Sequence, residues 1–230
     1  MITEATEMKT FTTAYRIILC LLLAAGVAYG QGKPNAPDVT KIAESKGWKL
    51  INREATVVED AGKRAIRFDE KAGQGVAWLE GSDFTDGVIE IDIKGKNVLQ
   101  QSFVGVAFRG VDEKTHDAVY FRPFNFKSED PVRRIHAVQY VSHPTWTWQK
   151  LRSEKNGIYE KAVSPVPDPD GWFHARIVVS NRKVSVYVND AKEPSLVVEE
   201  LSDRKGGWIG LWVGEGSGGA FANLKITPAK

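Results

Sequence analysis

From residue 48 onward, apolar and polar residues alternate with a period of two. At that spacing the successive side chains of an extended chain point to opposite faces. The clearest run is 87–94, which sets Ile89, Ile91 and Ile93 on one face and Glu90, Asp92 and Lys94 on the other. Similar runs predict strands over 56–58, 64–68, 75–79, 103–109, 117–123, 133–142, 172–180, 183–189, 207–213 and 219–226. Asn181-Arg182 is a tight-turn pair and predicts a hairpin between two of them. Before residue 48, only 39–47 has helical spacing, with Val39, Ile42 and Ala43 on one side. Many short strands separated by Gly, Asn and Asp predict an all-β fold, a two-sheet antiparallel β-sandwich. The run 165–170, Pro-Val-Pro-Asp-Pro-Asp, predicts a rigid extended loop inside it.

The N-terminus follows another pattern. Residues 17–27 are an unbroken apolar run, short of the roughly 20 residues that span a bilayer. Lys9 and Arg16 precede it, and Ala28-Tyr29-Gly30 offers small residues for a cleaving peptidase. These are the three regions of a secretory signal peptide over 1–30, cleaved near Gly30, which places the mature protein outside the cytoplasm, secreted or periplasmic. Met8 is a better start than Met1, because Glu4 and Glu7 put negative charge where positive is wanted. Leu19 is too large for the position before a lipidated cysteine, so Cys20 does not point to a lipoprotein. A linker with room for a short helix is expected over 31–47, and a single β-sandwich domain over 48–230.

Cleavage changes the composition. Cys20 and both methionines go, so thiol catalysis, disulfides, cysteine–zinc sites and iron–sulfur clusters are excluded from the mature chain. All seven tryptophans stay. The net charge stays at +2 and gives no footprint for nucleic acid, and no membrane span remains.

An ordered series of segments carries a resemblance: Phe84-x-x-Gly87-Val-Ile-Glu-Ile-Asp-Ile, Gly105-Val-Ala-Phe-Arg109, Gly171-Trp172-Phe173, Val184-Ser-Val-Tyr-Val-Asn189, Gly207-x-Ile-Gly-Leu-Trp212 and Phe221-Ala-Asn-Leu-Lys-Ile226. Over 48–227 the chain resembles the concanavalin A-like lectin/glucanase superfamily in its laminin G-like jelly-roll branch. It is most similar to exported bacterial proteins near the family 16 glycoside hydrolases and the 3-keto-disaccharide hydrolase domain. The resemblance implies two antiparallel sheets and a sugar bound on the concave face. It does not choose among lectin, hydrolase, lyase and adhesion module, because one fold hosts all of them.

Glu90-Ile-Asp92 resembles the start of the family 16 catalytic motif, whose chemistry needs a nucleophile and an acid/base about 5–5.5 Å apart on one strand face. The third carboxylate is missing, since Lys94 and Gly95 stand where it is expected. The strand therefore reads as an outward polar face opposite three core isoleucines.

The stretch 116–152 is richer. Alternation puts Tyr120 and Arg122 on one face of their strand, and Arg134, His136 and Tyr140 on one face of the next. Arg109 and Trp212 join them by phase, and Trp146 and Trp148 follow in a loop after Pro144. Aromatic rings stack on the C–H faces of sugars, and guanidinium forks bind hydroxyls. These nine residues are the expected ligand surface, with His136 and Tyr140 as the candidate acid–base groups.

No metal is expected. The histidines at 116, 136, 143 and 174 lack ligand spacing, and the turn holding Asp112, Glu113 and Asp117 is the one weaker candidate, for calcium. The Gly214–Gly219 region reads as a hairpin loop, with no Lys and no following helix to cradle phosphate. The sequence favours an exported carbohydrate-binding domain for a neutral glycan. A glycan-active hydrolase or lyase is the alternative, and an extracytoplasmic protein-interaction module the third reading.

Overall fold

The computed structural model describes residues 32–230; the signal peptide expected over 1–30 lies outside the described residues. The alternation becomes fourteen strands: β1 Trp48–Ile51, β2 Ala55–Asp60, β3 Lys63–Phe68, β4 Gly75–Leu79, β5 Gly87–Lys94, β6 Val104–Gly110, β7 His116–Phe121, β8 Val138–His143, β9 Glu160–Lys161, β10 Trp172–Ser180, β11 Lys183–Val188, β12 Leu196–Glu199, β13 Trp208–Val213 and β14 Gly219–Pro228. Three short helices intervene, α1 Pro123–Phe126, α2 Pro131–Arg134 and α3 Trp148–Glu154. The strands form two antiparallel sheets of seven, a jelly-roll β-sandwich. The first runs β1-β4-β13-β6-β7-β8-β9 and the second β12-β11-β10-β5-β14-β3-β2.

The second sheet has one dry face and one wet face. Ile89, Ile91 and Ile93 of β5 are fully buried, each stabilising the fold by about 1.5–3 kcal/mol relative to exposure. On the wet face Lys225 donates to Glu90 (2.8 Å), Lys63 to Asp92 (2.8 Å) and Lys94 to Asp60 (2.8 Å). Burial works to raise the Asp92 carboxyl, but hydrogen bonds with His174, Lys63 and Asn223 outweigh it and hold it well below the usual carboxylate range. Glu90 and Asp92 are thus members of a charge ladder on the sheet opposite the cleft described below.

The first sheet is covered on both faces: every residue of β6 and β7 is buried. The inward side chains Val104, Val106 and Phe108 belong to the core. The outward ones at the middle are small, Gly105, Ala107, Ala118 and Gly210. A Cβ on Gly105 would stand 2.9 Å from the Tyr120 Cβ, and one on Gly210 2.8 Å from the Trp78 ring. Small residues here leave room for aromatic side chains to pack across the outward face.

One expectation changes. Residues 133–142 are not one strand. Pro131 opens α2, Asp130 caps it by accepting from Val132 N (2.8 Å), and β8 starts only at Val138. Residues 32–47 pack onto the sandwich. Asn35 bridges to Ile226, and a 3-10 helix over Val39–Glu44 buries Val39 and Ile42 in the core. Among the described residues, no helix is long and apolar enough to cross a membrane.

Candidate functional site

Strand register assembles the site. Trp212, Gly105, Tyr120, Gln139 and Glu160 are successive cross-strand partners on β13, β6, β7, β8 and β9, one row across the outward face of the first sheet. The Trp212 and Tyr120 rings lie 5.1 Å apart. The Tyr120 hydroxyl donates to Gln139 Oε1 (2.7 Å) and accepts from Arg122 Nη2 (2.7 Å). Arg122 also donates to Gln139 Oε1 and to the His136 carbonyl (2.9 Å), and its Nη1 reaches Glu160 Oε2 at 3.5 Å. Arg152, from α3, grips Glu160 with two hydrogen bonds of 3.0 and 2.9 Å. His136 Nδ1 stands 2.9 Å from Glu160 Oε2, off the line of a good hydrogen bond, and has no other partner.

The protonation states follow from this packing. Burial pushes the Glu160 carboxyl up, but the Arg152 hydrogen bonds and the charges of Arg122, Arg152 and His136 hold it below its ordinary value, so it is ionised. Burial lowers the His136 imidazole; Glu160 opposes this, and Arg152 and Arg122 add to it, leaving the ring neutral at pH 7. Burial raises the Tyr120 phenol, which stays protonated. Two guanidinium groups against one carboxylate leave a single positive charge beside a neutral imidazole.

Arg122, His136 and Arg152 of this network line a cleft of about 1260 Å³, together with Phe103, Phe124, Asn125 and Trp148. Asn125 Nδ2 donates to the His136 carbonyl (3.0 Å), while its buried Oδ1 has no protein partner. Trp148 is 43% exposed, with the Arg152 guanidinium 5.1 Å from its ring centroid. A ring face and a forked cation are what a hydroxylated ring can use.

Of the nine residues expected as ligand surface, Tyr120, Arg122, His136 and Trp212 come together in this row and network, and Trp148 lines the same cleft. The other four lie elsewhere. Arg109 has a left-handed backbone (φ 50°) beside the β6–β13 bulge, and its guanidinium is buried against Glu200 (3.0 Å to Oε2) and Asp86 (3.1 Å). Arg134 sits exposed on α2 with Nη1 3.3 Å from the Ser128 carbonyl. Tyr140 pairs with Val119 and so faces the core, where its hydroxyl accepts from Leu201 N (3.2 Å). It is therefore not available as an acid. Trp146 packs against the core beneath Lys150 and Lys155.

Gln139, Glu160, Arg152 and Asn125 are not among the residues expected from the sequence. Gln139 stands out only once β7 and β8 are set in register. Glu160 lies on a two-residue strand that has no pattern of its own. Among the described residues, no three His, Cys, Asp or Glu side chains converge to hold a metal ion. In the calcium candidate, Asp112 caps its own turn by accepting from Lys114 N and Thr115 N, and Asp117 is buried against Ser202 and Arg204.

Solved structures share the architecture. CBM66, a carbohydrate-binding module from Bacillus subtilis, is similar with a TM-score of 0.56 at 16% identity, over 79% of this chain and 96% of the module. The VIP36 exoplasmic/lumenal domain in its Ca2+/Man-bound form gives 0.56 at 11%, over 86% and 89%. A native glycosidic hydrolase gives 0.54 at 14%, over 88% and 99%. Likeness at these identities is a likeness of fold. No curated protein matches the chain. The profile of the 3-keto-alpha-glucoside-1,2-lyase-like domain matches residues 41–227, nearly all of the described sandwich, and the chain belongs to that family.

Proposed function

We propose that the cleft binds a carbohydrate and that the protein is a lyase for glucosides bearing a ketone at C3. The observation that carries this reading is the close pair His136–Glu160, a neutral imidazole on the cleft wall beside a buried carboxylate. Family membership supports the substrate class.

In a 3-keto glucoside the C2 hydrogen is acidified by the neighbouring ketone. With the proton held on Nδ1 by the nearby Glu160 carboxylate, His136 keeps the Nε2 lone pair to take the C2 proton. The electron pair passes into a C2–C3 enolate, whose oxygen the free positive charge of the Arg122–Arg152 pair stabilises. The pair then forms the C1=C2 double bond as the C1–O bond breaks. The departing oxygen takes its proton from the His136 imidazolium. The products are a 1,2-unsaturated 3-ketone and an alcohol, and no oxidant or reductant is consumed. Tyr120 and Gln139 position Arg122 and do not themselves transfer protons. The apolar run at 17–27 supports placing this activity outside the cytoplasm.

A second reading, a carbohydrate-binding domain without chemistry, is favoured by the exposed Trp148 ring. Adding 3-keto-maltose to the purified protein separates the two. Growth of enone absorbance supports the lyase, and binding without turnover supports the binding domain.

A further inference from the structure

The cleft does not end at the His136 network. It runs along β7 and β8 to the other end of the sheet, where His116 and His143 face each other in register. There it meets a second, open recess of about 570 Å³, walled by Lys49, Thr115 and Trp208. Glu113, Lys114 and Pro144 border both spaces, so the two recesses adjoin along these residues. Six residue steps separate Arg122 from His116, about 20 Å at about 3.3 Å per residue. The main cleft alone exceeds the roughly 300–1,000 Å³ of sites that enclose one small ligand.

The chemistry changes along the groove. The His136 end holds the charged network. At the far end the partly exposed Trp208 ring lies edge-on to Trp78 at 5.9 Å, and Lys49 and Glu113 pair beside it at 3.2 Å. An aromatic plane flanked by flexible donors and acceptors suits a sugar ring that is held and not cut. His116, next to this end, is 1% exposed and packs against Trp78 (5.5 Å) and His143 (5.1 Å). Neither of its buried ring nitrogens has a protein partner.

We propose that the groove holds an extended glycan longer than a disaccharide. The oxidised terminal unit lies at His136, and the remaining chain, which is the leaving group, runs along β7 to Trp208. The proposal rests on the lyase reading and adds the identity of the leaving group, an oligosaccharide instead of a small alcohol.

The test uses malto-oligosaccharides of increasing length, each oxidised at C3 of the non-reducing glucose. For the wild type, kcat/KM should rise about tenfold from the disaccharide to the pentasaccharide, because remote binding energy is realised in the transition state. Trp208→Ala should remove that gain and leave the disaccharide rate unchanged. Lys49→Ala, at an exposed position, should reduce the gain in a variant whose folding is not at risk. Equal rates at all lengths, or variants that slow the disaccharide as much as the pentasaccharide, overturn the groove. If no length is turned over, the lyase reading fails, and calorimetry with unoxidised maltose and maltopentaose decides the groove. Tighter binding of the longer chain then supports it, and equal affinity overturns it.

Discussion

His136 and Glu160 are 24 residues apart in the chain, yet the turn before β8 and the start of β9 bring Nδ1 and Oε2 to 2.9 Å. The pair sets a pH profile. Burial lowers the His136 imidazole, with Arg152 and Arg122 adding to it, so the base form persists below the ordinary value of about 6.5. The plateau of kcat/KM should extend from pH 8 to below about 6.5 and fall only at lower pH. Glu160→Gln removes the charge that raises His136, so the acid limb should move further down. A limb that moves up contradicts the assignment.

Glu160 also carries stability. Its side chain is 3% exposed and meets Arg122, Arg152 and His136. Glu160→Gln strands the Arg122 guanidinium in a buried site, and breaking such a pair costs about 3–5 kcal/mol. Guanidinium denaturation should show a loss of that order. A loss under about 1 kcal/mol, the scale of an exposed ion pair, contradicts the buried network.

Tyr140 and Arg134 separate core from cleft. Tyr140→Phe gives up the bond from Leu201 N and should cost about 1 kcal/mol while leaving ligand affinity unchanged. Arg134→Ala, on the exposed α2, should stay within about 0.5 kcal/mol of wild type and also bind normally. Loss of binding in either folded variant would return that residue to the site.

These two residues also mark the limit of what the chain discloses. Ile89, Ile91 and Ile93 are legible because one face of β5 is dry and the other wet. Arg133-Arg134-Ile135-His136-Ala137-Val138 fits the same alternation, but Asp130-Pro131 is a helix start, and α2 breaks the phase before Tyr140. His136 still reaches the cleft, from a turn and not from a strand. Arg109 follows alternation up to a bulge, where its left-handed backbone sends the side chain to Glu200. Glu160 and Gln139 depend on pairings between distant segments, which no local pattern encodes.

His116 predicts acid lability. Burial, with His143 and Arg204 adding to it, holds its imidazole at about 3. An unfolded histidine takes its proton near 6.5, so from there down to about 3 the unfolded state binds more protons. Stability from this group is intact above 6.5 and falls by about 1.4 kcal/mol per pH unit below it. His116→Phe keeps the packing on Trp78 and removes the titration. Melting curves of the two proteins should diverge between pH 7 and pH 4, the wild type losing more. A constant difference contradicts the prediction.

The central claim is that His136 removes the C2 proton of a bound 3-keto sugar. Substrate carrying deuterium at C2 of its 3-keto glucose, given to wild type and His136→Gln with Kd measured for both, tests it most directly. The account predicts that wild type releases the label to solvent as enone forms, and that His136→Gln binds with the same Kd but is slowed by about 100-fold or more. Label retained in the product, or a His136→Gln rate close to wild type, would contradict it.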